Sequence, residues 1–352
     1  MAKNKIRIGI IGVGIGQAHI KGYSKVKDAE IVALCDTNTA RAEQVRHDNQ
    51  LVDAQIYSDY RALLEEAELD AVSVCLPNFL HRPIAVDCLN ADKHVICEKP
   101  LATNAKDAQK IADAAAKNKK KCMVAQVNRF RPDSLFLKKA IAAGELGRIY
   151  YAHTGWLRRR GIPGYGGWFT TKEQSGGGPL IDIGVHLLDI AWWLCGCPRP
   201  VSASGVTYAE FGPRGKGLGG WSADKRPEKG VFNVEDLAVA LIRFENGLTI
   251  NLEVSWALHN EKERQWCQLF GNEGGCDWGN DPGLYREVQG APVNAKIELS
   301  KGDPWQGEMQ HFVDCIVNDT TPDPDATQGV AMMKMLDAIY KSAATGREAL
   351  IK

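Results

Sequence analysis

Six short apolar runs, each followed by a stretch of helical character, occupy the first 127 residues, and this alternation constrains the fold more than any other feature. The runs fall at 6–11, 30–35, 55–58, 71–76, 94–97 and 122–127. Runs such as Val95-Ile96-Cys97 are continuous rather than alternating, as in strands covered on both faces. Strands that alternate with helices build a parallel, doubly wound sheet with right-handed crossovers. Such sheets bind ligands outside the carboxyl ends of their strands. The residues that close each run are therefore the functional candidates.

The first run leads directly into Gly12-Val13-Gly14-Ile15-Gly16 and then a helix. Glycines here allow a tight turn and a close approach of backbone to a pyrophosphate, and the helix offers unpaired N–H groups to the anion. The spacing is one residue short of the usual fingerprint, with Gln17 where the third glycine normally falls. The second run ends in Asp36-Thr37, placed to accept the ribose hydroxyls of adenosine and to repel a 2′-phosphate. NAD is thus expected over NADP, with Arg41 assigned to the outer face of the next helix. The fourth run ends in Pro77-Asn78, with His81 three residues on, and the fifth in Glu98-Lys99-Pro100. Gly12, Gly14, Ile15, Gly16, Asp36, Thr37, Pro77, Asn78, His81, Glu98 and Lys99 form the expected cofactor side.

Beyond a linking helix at 133–143 the pattern changes. A strand at 151–157 precedes a glycine-rich loop at 160–178 that carries Tyr165 and Trp168, rings suited to the apolar face of a sugar. A helix is expected over 179–195. Asp182, His186 and Asp189 fall at i, i+4 and i+7 on one face of an otherwise apolar segment. A polar stripe on a buried helix must face a wet pocket or find internal partners. Strands follow at 201–210, 234–244, 248–256, 265–271, 274–278, 284–288 and 295–299, with a glycine-rich loop at 211–229. Asn246-Gly247 marks one hairpin. Helices at 305–318 and 327–345 close the chain. Strands without intervening helices make an α+β domain with one open sheet, whose bare face calls for a second copy of the chain.

Composition narrows the class. The 43 basic and 43 acidic residues cancel, so nothing points to nucleic acid or an anionic membrane surface. The first seven residues are polar and basic rather than an apolar leader, and no apolar run reaches membrane-spanning length. The 10 cysteines show no Cys-x-x-Cys pattern. Reduced thiols, a cytoplasmic setting and no metal centre are expected.

Four motifs occur in order: the strand–glycine turn–helix, Pro77-Asn78-x-x-His81, His94-Val95-x-x-Glu98-Lys99-Pro100, and Gly177-Gly178-Pro179-Leu180-Ile181-Asp182-Ile183-Gly184-Val185-His186. Together they resemble the glucose–fructose oxidoreductase/inositol dehydrogenase/rhizopine catabolism (Gfo/Idh/MocA) family over nearly the whole chain. The resemblance implies an α/β Rossmann domain at 1–127. It also implies an α+β C-terminal domain at 128–352, with a large open, mainly antiparallel sheet that mediates oligomers (a homodimer or homotetramer). The last helices are expected to pack back towards the N-terminal domain. The implied chemistry is NAD(P)-linked oxidation of sugars or polyols, with Lys99, Asp182 and His186 as the catalytic group.

Oxidising a secondary alcohol requires a hydride acceptor and a base for the hydroxyl proton. His186 is the chosen base, with Lys99 stabilising developing charge on oxygen and Asp182 orienting substrate or imidazole. Lys99 as base is the rival assignment. Asn128, Arg129 and Arg158 are candidate hydroxyl binders. Two alternatives remain: a redox-neutral enzyme with tightly held NAD, and a non-catalytic NAD- or sugar-responsive regulator.

Overall fold

The computed structural model describes residues 5–219 and 230–352, which fall into two units. One is formed by Met1–Phe130 with Asp303–Val330, the other by Arg131–Gly302 with Ala331–Lys352. The division at 130/131 lies three residues beyond the expected 127/128, and the segment 303–330 belongs with the first unit.

In the first unit six strands alternate with five helices. The strands are β1 (Ile6–Ile11), β2 (Ala29–Cys35), β3 (Gln55–Tyr57), β4 (Ala71–Val74), β5 (His94–Glu98) and β6 (Cys122–Ala125). The helices are α1 (Gly16–Tyr23), α2 (Thr39–Asp48), α3 (Tyr60–Glu66), α4 (Asn78–Asn90) and α5 (Ala105–Asn118). All strand pairs are parallel, in the order β3-β2-β1-β4-β5-β6. This is a dinucleotide-binding order, and its switch point lies between β1 and β4. Side chains fix the helix starts. Asn38, Asp59 and Asn104 accept the N–H groups of Arg41, Arg61 and Asp107, satisfying donors that an isolated helix leaves open.

The second unit contains α6 (Pro132–Ala142), β7 (Ile149–Leu157), α7 (Lys172–Ser175) and α8 (Val185–Leu194). Then come β8 (Pro200–Tyr208), β9 (Leu237–Phe244), β10 (Thr249–Ser255), β11 (Arg264–Gly271), β12 (Gly274–Trp278), β13 (Gly283–Val288) and β14 (Ala291–Lys296). After them α9 (Pro304–Val317) packs in the first unit against α1, so closely that a Cβ on Gly22 would lie 2.7 Å from the Trp305 carbonyl. The last elements are α10 (Ala326–Thr345), within which the chain passes from one unit to the other, and β15 (Ala349–Leu350). The nine-stranded sheet runs β14-β13-β12-β11-β7-β10-β9-β8-β15, antiparallel except for β7 with β10. Alternation in β10 is clean: Ile250, Leu252 and Val254 are buried, while Asn251 and Glu253 face the other way and are half-exposed. The buried face carries α8 against β7, β10 and β11, and α6 against β12.

Two expectations need correction. The strand expected at 295–299 is β14, four residues earlier. Gln289 and Gly290 both take positive φ, 51° and 78°, and make a two-residue turn that pairs Val288 directly with Ala291. The helix expected over 179–195 begins as a π-helix, Leu180–Gly184, before continuing as α8. The loop expected at 211–229 lies partly outside the described residues.

Candidate active site

The first unit presents a cradle at the ends of β1 and β2. Gly12 has φ +90°, and a Cβ there would collide with the Cys75 carbonyl, so only glycine makes this turn. Around Gly14 a Cβ would meet nothing within 4 Å; the space in front of the turn is open. At Gly16 a Cβ would press to 2.9 Å from Ile10 Cγ2. Gly16 therefore performs the helix–strand packing usually given to a third glycine one residue later, and Gln17 is exposed without consequence. No side chain caps α1; the Gln17 and Ala18 N–H groups bond to the Gly14 and Ile15 carbonyls of the turn itself.

Asp36 anchors this cradle. Its Oδ2 accepts the Val13 N–H at 3.0 Å and an Arg41 guanidinium N–H at 2.6 Å, and its Oδ1 accepts the Asn38 N–H at 2.9 Å. Burial alone would raise its pKa; these bonds and the Arg41 charge outweigh burial and hold the carboxyl below the usual aspartate value. Arg41 thus sits on Asp36, which corrects its expected place on the outer face of α2. Thr37 follows as an exposed residue. An open glycine turn that leads into a helix, with an ionised carboxylate at the next strand end, fits a dinucleotide.

At the next two strand ends, expectation and structure part. His81 is fully buried, with Nδ1 2.7 Å from the Pro100 carbonyl and Nε2 2.7 Å from the Leu76 carbonyl. Its ring braces the turns after β4 and β5 and is not open to a cofactor. Glu98 is also buried: Oε1 lies 3.2 Å from His19 Nε2, and Oε2 accepts the Lys99 N–H at 3.0 Å. Burial works to raise its pKa, but the His19 bond and the nearby charges of His19 and Lys99 hold it below the glutamate norm. Glu98 is therefore an internal brace for the backbone that carries Lys99. Lys99 itself is half-buried just past the end of β5; Pro77 is half-buried, and Asn78 is buried at the start of α4.

Asn128 is half-buried in the 3₁₀ turn Val127–Phe130 after β6. Its neighbour Arg129 is 1% exposed, with Nη1 bonded to Asp323 and Gln328. A guanidinium so enclosed pins the 303–330 segment to β6, and the substrate role expected of Arg129 is withdrawn.

In the second unit, every residue over 177–194 is buried except Asp182 and His186. Asp189, expected on the same polar face, is buried. The π-turn carries Asp182, and α8 carries His186 one turn on; π insertions recur at functional positions. Asp182 Oδ2 accepts the indole N–H of Trp256 at 2.9 Å. Trp256 is itself fully buried, and a buried indole N–H needs such an acceptor. Arg158, at the end of β7, stacks its guanidinium 4.1 Å from the Trp156 ring centroid. Burial pushes its pKa down while the Asp182 carboxylate works in the opposite direction, so the two charges share one environment.

The loop aromatics are tied to the protein. Tyr165 donates to the Gly212 carbonyl at 3.1 Å and stacks on Phe232, and Trp168 stacks on Phe169 at 3.8 Å. Both remain half-exposed. The structure thus groups Asp182, Arg158 and Trp256, with His186 on the same helix. Sequence reasoning missed Trp256 and His19. A tryptophan closing an apolar strand, and a histidine on a helix that must bury one face, were the available signals. Among the described residues no cluster of three or more His, Cys, Asp or Glu is arranged to hold a metal, and no helix is long and apolar enough to cross a membrane.

Fold and residue chemistry define a nucleotide-dependent oxidoreductase, and comparison with known proteins agrees. Residues 6–126 match the family described as "Oxidoreductase family, NAD-binding Rossmann fold", and residues 135–277 match the GFO/IDH/MocA C-terminal domain. D-glucoside 3-dehydrogenase of Escherichia coli K12 is 31% identical over 98% of this chain and 97% of its own length. Inositol 2-dehydrogenase of Salmonella typhimurium LT2 is 26% identical over 99% of this chain and 97% of its own. The solved structure of levoglucosan dehydrogenase with NADH and levoglucosan superposes with a TM-score of 0.87 at 22% identity, covering 99% of this chain and all of that one. The chain belongs to the Gfo/Idh/MocA family of oxidoreductases.

Proposed function

We propose that the protein is an NAD-dependent dehydrogenase that oxidises a secondary alcohol of a cyclic sugar, glycoside or polyol. The observation that carries this reading is the isolation of Asp182 and His186 as the two half-exposed positions on an otherwise buried helix. The relatives named for a glucoside, inositol and levoglucosan supply the substrate class. Gly12, Gly14, Ile15 and Gly16 would hold the pyrophosphate, and Asp36 and Thr37 the adenosine ribose. Pro77, Asn78 and Lys99 would flank the reactive ring. When bound, the nicotinamide supplies the hydride acceptor.

His186 accepts the hydroxyl proton as the carbonyl forms, and Lys99 donates a hydrogen bond to the same oxygen. Asp182, held by Trp256 and neighboured by Arg158, orients substrate and imidazole. Asn128, Tyr165 and Trp168 complete the hydroxyl and ring contacts. The ionised Asp36, able to accept the ribose hydroxyls, favours NAD, and Arg41 on the same carboxylate narrows that preference over NADP. All 10 cysteines are free thiols, which supports a reducing cytoplasm. Exposed Val206, Tyr208 and Phe270, on the face of the second unit's sheet turned away from α8, support a homo-oligomer through that face.

The test is absorbance at 340 nm over a panel of glucosides, anhydrosugars and inositols with NAD⁺ or NADP⁺. NADH formation with at least one, reduced ~10²-fold or more by Lys99→Ala, is expected. NAD binding with no turnover across the panel would contradict it and favour the regulatory alternative.

A further inference from the structure

The turn that carries Asp182 is held from outside its own sequence. Glu235, in the segment before β9, is 8% exposed. Its Oε1 accepts the Leu180 N–H at 3.1 Å and the Tyr340 hydroxyl at 2.9 Å. Pro179 has no N–H, and the Asp182 N–H bonds to the Gly178 carbonyl. One carboxyl therefore ties the first residue of the turn, Leu180, to the Tyr340 hydroxyl of a distant helix.

The glycines explain themselves in the same terms. A Cβ on Gly177 would collide with the Tyr340 hydroxyl, and a Cβ on Gly178 with the Glu235 carbonyl. The Gly177-Gly178-Pro179 sequence thus lets two side chains from distant segments reach the start of the helix. A carboxylate and a phenol are an expensive pair to bury for stability alone, since either could be replaced by an apolar group with no charge to desolvate. What they fix is the setting of the π-turn, where an α-helical continuation is the ordinary alternative.

We propose that Glu235 and Tyr340 are positioning residues, which clamp the first turn of this helix so that Asp182 and His186 are presented in one fixed geometry. This rests on the assignment of Asp182 and His186 to catalysis. A misplacement of about 1 Å costs a catalytic group about 10²-fold, so loss of the clamp acts on kcat while substrate recognition persists.

The experiment uses the full chain and the best substrate from the sugar panel. Glu235→Ala is expected to lower kcat about 30-fold with KM within about threefold, and Tyr340→Phe about fivefold. Glu235→Gln keeps the acceptor for Leu180 and Tyr340 and is expected to recover most of the loss. The primary deuterium isotope effect on kcat should rise in Glu235→Ala and Tyr340→Phe as hydride transfer becomes limiting. Amide exchange of a peptide spanning 178–186 should quicken in the same two variants and remain slow in Glu235→Gln.

Full kcat with an unchanged isotope effect in folded Tyr340→Phe and Glu235→Gln would overturn the proposal, even if exchange quickened, because the clamp would then be merely structural. Should Glu235→Ala fail to fold, those two variants still decide. A wild type that turns over no sugar overturns the dehydrogenase reading instead, and unaltered exchange in Tyr340→Phe would then overturn the clamp independently.

Discussion

Two glycine stretches, one in each unit, solve opposite problems. In Gly12-Val13-Gly14-Ile15-Gly16 the middle glycine faces open space, with nothing within 4 Å of a would-be Cβ. At Gly177-Gly178 the space is already taken by Tyr340 and Glu235 of the same chain. The first absence of a side chain leaves open space in front of the turn; the second admits the protein's own polar groups. A glycine motif therefore carries no fixed meaning, and what fills the missing volume decides between binding and positioning.

Alanine substitutions should separate the two cases. Gly178→Ala is expected to destabilise the fold by about 3 kcal/mol, because the group in the way is a backbone carbonyl that cannot rotate aside. Thermal or denaturant unfolding checks it, and an unchanged midpoint would erase the contrast. Asp36→Ala removes the acceptor at the other cradle and is expected to weaken NAD⁺ by at least tenfold while narrowing its advantage over NADP⁺; dinucleotide titration by fluorescence reads both. Gly14→Ala should leave stability equal or raised by about 0.5 kcal/mol, since an L side chain adopts that backbone without strain. The same change should weaken NAD⁺ about tenfold by occupying the cradle.

The smallest effect is in pH. Asp36 has a depressed pKa, so its stabilising contribution is present above the ordinary value of 3.8 and is lost as pH falls through the depressed native value. Glu235 is raised, by burial first, with the Gly178, Leu180 and Tyr340 bonds working against burial. Its contribution is complete below 4.5 and is lost as pH rises through the raised native value. Melting curves between neutrality and acid should therefore show wild type gaining on Glu235→Gln as pH falls, and losing ground to Asp36→Asn at still lower pH. Parallel trends in the two pairs would contradict the assigned environments.

Much of the fold was legible because its signals are local. Apolar runs alternating with helices define the sheet of the first unit, and Asn246-Gly247 marks the β9–β10 hairpin. Register was harder: the β13–β14 turn uses Gln289-Gly290, a weaker signal than Asn-Gly, and β14 was expected four residues late. At the site, spacing brought out Asp182, His186 and Asp189 together, and the family resemblance set Asp182 and His186 apart. Spacing could not reveal that Glu98 and His81 turn inward, because a charged pair or a histidine at a strand end reads the same whether it meets ligand or backbone. Arg129 failed for a related reason: its partners, Asp323 and Gln328, lie almost 200 residues away. Trp256, Glu235 and Tyr340 act through contacts of 74, 55 and 105 residues in separation, distances at which no periodicity speaks.

The account turns on the imidazole of His186 as the acceptor of the hydroxyl proton. Steady-state oxidation of the best panel substrate by His186→Gln, beside NADH affinity measured on the same preparation, tests it most directly. The expected result is a fall in kcat of ~10²-fold or more with NADH affinity within about twofold of wild type. A folded His186→Gln protein that oxidises the sugar at the wild-type rate would contradict it.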